Sequence, residues 1–98
     1  MIDFLKKINI KEDVLIEIIK NNNPSSLSSL SVNEDECLKI INYMKEIGLT
    51  CIDDLLINRI DVFLSSFDKF IKKLSKFNIP VLVQLVNTDY ATIDIINE

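Results

Sequence analysis

Lys69, Lys72, Lys73 and Lys76 recur at i, i+3, i+4 and i+7 in FDKFIKKLSKFNI. On a helix that spacing makes one stripe, opposite Phe67, Phe70, Ile71, Leu74 and Phe77. Ammonium groups one turn apart suit phosphate contact, and Lys6 and Lys7 would extend the row. The plain alternative is a solvated face whose lysines lie toward the helix C-terminus, where the helix dipole favours cations. Neither Arg nor an exposed aromatic accompanies the stripe for base contact or stacking.

Other chemistry finds little footing. The chain has no His, the commonest general base, and no glycine-rich phosphate loop. Cys37 falls on an apolar helix face, the wrong place for a low-pKa nucleophile. Cys51, just inside a helix start, is the better candidate thiol, yet no partner base is in view. Glu34, Asp35 and Glu36 read as helix-start acids stabilised by the positive end of the dipole, and Asp53 and Asp54 likewise. Neighbouring helix positions point about 100° apart, poor geometry for two carboxylates sharing one task. No catalytic residue, cofactor, metal ligand or small-molecule site is therefore expected.

Ninety-eight residues suffice for one domain with a modest core. The apolar fraction is 48% with one Gly and two Pro, which excludes a disordered or loop-dominated chain. No apolar run nears the roughly 20 residues that span a bilayer, and MIDFLKKINI lacks the pattern of a secretory signal. Two cysteines are too few for a disulfide framework. A soluble cytoplasmic protein without membrane contact is the expectation. The net charge is −4: residues 1–66 carry eleven acids and seven bases, residues 67–79 one acid and four lysines, residues 80–98 three acids. That balance disfavours a domain bound mainly to phosphates.

The elements that position these residues repeat. In CLKIINYMKEIGL, Cys37, Ile40, Ile41, Met44 and Ile47 form one helical face, matched by Phe67, Phe70, Ile71, Leu74 and Phe77 thirty residues on. Ser31 with Glu34 and Asn33 with Glu36 have capping-box spacing at the first copy's start, and Ser65 with Asp68 approximates it at the second. Gly48 and Asn78 follow the copies where a left-handed residue belongs. Ile2, Leu5, Ile8, Asn9 and Ile10 make a third, partial copy. After each copy a short helix ends in Asn: Asn21, Asn58 and Asn87. Its starts are Asn9 with Glu12, Thr50 with Asp53, and Pro80 at N1. NNPSSLSSL, RIDVFLSS and TDYATIDII then read as irregular, the first as a loop or 3₁₀ segment. Two helices per unit of about thirty residues is the pattern of a helical repeat, with an irregular bundle as the alternative.

The stretch IIKNNNPSSLSSLSVNEDECLKIINYMKEIGL resembles the repeats of the mitochondrial transcription termination factor family, with Pro24, Leu27, Leu30, Ile47, Gly48 and Leu49 in its pattern. DLLINRIDVFLSSFDKFIKKLSKFNI and VQLVNTDYATIDII follow it more loosely. The resemblance implies an α-solenoid whose concave side binds nucleic acid. KEIGLTCIDDLL is also similar to a helix-hairpin-helix turn, although Asp53 and Asp54 would repel phosphate there.

The sequence thus predicts an all-α domain over 1–98, a short α-solenoid of six to seven helices in three two-helix units, about 1–30, 31–61 and 62–98. Its expected role is that of a non-catalytic binding module. The resemblance implies nucleic-acid binding. The alternative is a protein-interaction or adaptor module, because PVLVQLV is apolar on most sides. Val81, Leu82, Leu85, Val86 and Tyr90 are its candidate self-association residues.

Overall fold

The computed structural model describes residues 2–97, and among these it is all-helical, with no strand. Six α-helices are α1 (Glu12–Asn21), α2 (Pro24–Val32), α3 (Glu34–Ile47), α4 (Ile52–Asn58), α5 (Phe67–Leu74) and α6 (Ile79–Thr88). Three 3₁₀ segments intervene: η1 (Asp3–Ile8), η2 (Ile60–Phe63) and η3 (Tyr90–Asn97).

α3 is the longest element and forms for the reasons its sequence gives. Glu34, Asp35 and Glu36 occupy its first turn and Lys45 its last, complementing the dipole. Cys37, Ile40, Ile41 and Met44 are buried along one face. Gly48 stops it with φ 97°, and its N–H donates to the Lys45 carbonyl while Leu49 N–H returns to Met44. Asn9 adopts the same left-handed conformation after η1, with φ 68°.

Asn78 does not. Its φ is −72° and its side chain accepts from Val81 N–H, so it caps the start of α6 instead of closing α5. α5 stops a turn earlier than its periodicity suggests, at Leu74. There Ser75 Oγ donates to the Lys72 carbonyl and Phe77 N–H bonds Leu74 in a three-residue step. The serine-rich stretch read as a loop is the α-helix α2. Asn23 accepts from Ser26 N–H, Pro24 opens the helix, and Leu27 and Leu30 are buried. Burial of two leucines there outweighs the modest helix propensity of serine.

The predicted capping boxes also shift. Asn33 makes no side-chain cap on α3 and instead donates to the Ser29 carbonyl at the end of α2. Ser66, not Ser65, caps α5 by accepting from Lys69 N–H. Lys11 and Cys51 occupy the cap positions of α1 and α4 without side-chain caps.

Packing joins α1 to α4, α2 to η2, and α3 to α5. α6 then rests on α3 and η3, and η3 also touches α5. Leu30, Ile40, Ile41, Met44, Leu55, Leu56 and Phe63 are wholly excluded from water in the shared core, each contributing roughly 1.5–3 kcal/mol by burial. Polar bridges cross between these elements. Asn22 Nδ2 donates to the Leu56 and Ile57 carbonyls at the end of α4. Asn87 spans the α3–α4 corner, donating to the Gly48 carbonyl and accepting from Thr50 N–H. No helix among the described residues is long and apolar enough to cross a membrane.

Candidate binding surfaces

The lysine stripe lies on α5, whose Phe70 and Leu74 are buried beneath it. Lys69 and Lys72 are exposed on the helix; Lys76, also exposed, sits in the turn beyond its end, so helical spacing no longer governs it. None of these three makes an ion pair among the described residues. Lys73 is half-buried and donates to Asn97 Oδ1 at 2.8 Å, which ties α5 to η3. The proposed extension is occupied otherwise. Lys6 pairs with Glu12 at 3.1 Å, a contact that raises the ammonium pKa. Lys7 lines an open hollow of about 400 Å³ together with Asp3, Phe4, Ser31 and Glu34. Lys6 is thus paired with a carboxylate, Lys7 shares its hollow with Asp3 and Glu34, and neither shares a described contact with α5.

The three acids at the start of α3 diverge as well. Glu34 faces that hollow, whereas Glu36 reaches across to α5, where its Oε1 accepts from Phe67 N–H at 3.0 Å and its Oε2 takes Lys39 Nζ at 3.1 Å. The first bond satisfies an orphan N–H in the opening turn of α5. The Phe67 N–H, followed by Lys39, holds the Glu36 carboxyl below the usual carboxylate range. Its contribution is therefore complete above that ordinary range and fades as pH falls through the lowered folded value. Between about pH 6 and about pH 3, Glu36→Gln is expected to lose less melting temperature than the wild-type chain. Equal losses would show that this carboxylate does not secure α5.

Neither thiol is activated. Burial pushes Cys37 up to about 12. Cys51 is also raised, chiefly by burial, and its Sγ lies 3.6 Å from the Val86 carbonyl it donates to. A helix dipole favours a thiolate at a helix start, but at the start of α4 burial against α6 outweighs it. Among the described residues no group of three or more His, Cys, Asp or Glu is placed to hold a metal ion.

α6 divides the five candidate self-association residues. Leu82 and Val86 point into the chain's own core, with 3% and 0% exposure, and are not available to a partner. The sequence could not separate them because α6 is apolar on most sides. Val81 and Leu85 are exposed on the adjoining face, about 100° around the helix, and Tyr90 is half-buried against the core. Sequence reasoning missed a second such pair, Ile16 and Ile19 of α1. Its signal was present, since α1 carries five apolar residues, Val14, Leu15, Ile16, Ile18 and Ile19, more than one face needs.

Compared with protein-family models, with curated proteins and with solved structures, the chain finds no match.

Proposed function

We propose that this chain is a non-catalytic helical-repeat module that docks onto protein, copies of itself included, through the outer face of α6. The observation that carries this reading is Val81 and Leu85, two large apolar side chains held in water on a helix anchored by Leu82 and Val86. The repeat itself is supported by the way elements pair. α1 with α4, α2 with η2 and α3 with α5 match each element of 12–47 with its counterpart in 52–74. That pairing covers two units, while α6 rests on α3 and η3 on α5; the three-unit solenoid and the resemblance to mitochondrial transcription termination factor repeats belong to the same proposal.

A second reading, nucleic-acid binding, is favoured by Lys69, Lys72 and Lys76, exposed and without carboxylate partners among the described residues. The two readings differ in their response to salt. Phosphate contacts weaken steeply as salt rises, whereas an apolar contact does not. Fluorescence anisotropy with a single-stranded oligonucleotide, and sedimentation of the chain alone, are expected to show no oligonucleotide binding and a self-association that weakens only slightly as salt rises. Oligonucleotide binding that is lost in the Lys69→Glu, Lys72→Glu double variant would reverse the order of the two readings.

A further inference from the structure

Resting on the reading that copies dock through α6, we propose that they join head to tail, the outer face of α6 in one copy meeting the outer face of α1 in the next. Both helices run ten residues. Each leaves two large apolar side chains in water: Ile16 and Ile19 at 47% and 52% exposure, Val81 and Leu85 at 53% and 46%. At spacings of three and four, each pair is one patch a single turn long. The adjoining face, about 100° around the helix, seats each helix on its own chain, through Leu15 and Ile18 on α1 and through Leu82 and Val86 on α6.

Charge gives the contact a direction. Glu12, bridged by Lys6, and Asp13 stand in the first turn of α1 after the exposed Lys11, and Lys20 stands in its last. Exposed Lys76 precedes α6, and Asp89 follows it directly. Laid parallel, the two helices bring Asp13, the first-turn acid outside the Lys6 pair, toward Lys76 and Lys20 toward Asp89. Laid antiparallel, they set Lys20 against Lys76 and Asp13 against Asp89, like against like. Pairing α6 with another α6 would satisfy the same charges but leave Ile16 and Ile19 in water; the head-to-tail contact covers both patches. Such a contact uses two different faces, so it extends unless its rotation closes a ring. Four side chains make a small core, which places the association at the weak, transient end.

Full-length wild type, Ile19→Glu and Leu85→Glu are compared by sedimentation velocity at rising concentration, with circular dichroism confirming unchanged helix content. Wild type is expected to grow in mass with concentration. Each variant alone is expected to associate more than about tenfold more weakly. An equimolar mixture of the two variants is expected to form dimers, because the first keeps an intact α6 face and the second an intact α1 face. Ile19→Glu associating as well as wild type, or a mixture without dimers, would overturn the head-to-tail contact while leaving docking through α6 in place. Wild type that stays monomeric at high micromolar concentration, or undiminished association of Leu85→Glu, would remove both.

Discussion

Replacing Phe70 by alanine is expected to destabilise the chain by about 3–5 kcal/mol, the range for removing a large aromatic from a well-packed core. Phe70 is 1% exposed, and its ring meets Tyr43 edge-on, with centroids 6.3 Å apart and planes at 85°. Tyr43 also meets Phe67 edge-on at 6.1 Å. These contacts seat α5 on α3, so truncation leaves a cavity between two helices that no neighbour readily fills. For a domain of this size the loss should lower the melting temperature by more than about 10 °C. Lys72→Ala on the same helix shortens an exposed side chain, and its expected effect is within about 0.5 kcal/mol. Thermal denaturation of the two variants separates the roles of the helix's two sides. A cost below about 1 kcal/mol for Phe70→Ala would mean that α5 is not held by its aromatic underside.

Gly48→Ser should cost about 1–2 kcal/mol, whereas Asn78→Ser should stay within about 0.5 kcal/mol of wild type. The difference comes from backbone conformation. At φ 97° an L side chain at position 48 crowds the following carbonyl. Space is not the cause, since a Cβ there would lie 3.8 Å from Val83 Cγ1, an ordinary contact. Asn78, at φ −72°, serves as a helix cap whose side-chain oxygen accepts from Val81 N–H, and serine fills that role equally well. Chemical denaturation with an unchanged m-value would report both effects. If Asn78→Ser proves as costly as Gly48→Ser, the two positions share a left-handed role after all.

That contrast also marks where the sequence was legible. α3 declared itself because its apolar period, acidic first turn and terminal glycine all agree. α5 and Asn78 misled, because asparagine suits both a left-handed stop and an N-cap; the deciding factor is the start of α6, a few residues on. α2 was hidden by its serines, whose helix depends on two leucines finding the core. The lysine stripe followed from spacing alone, but its boundaries did not. Lys73 bonds Asn97 twenty-four residues away, and Lys6 is claimed by Glu12. Glu36 read as an ordinary helix-start acid because its partner, the Phe67 amide, is supplied by tertiary packing. The all-α class was plain from the outset; which side of α6 faces water required the fold.

The corner between α3 and α4 owes its closure to a side chain thirty-nine positions downstream, since Asn87 holds the Gly48 carbonyl. Local turns form quickly, but a bond of that span waits until a long loop has closed and its entropy has been lost. The closure of that corner is therefore expected to follow the docking of α6, so Asn87→Ala should speed unfolding while leaving the folding rate nearly unchanged.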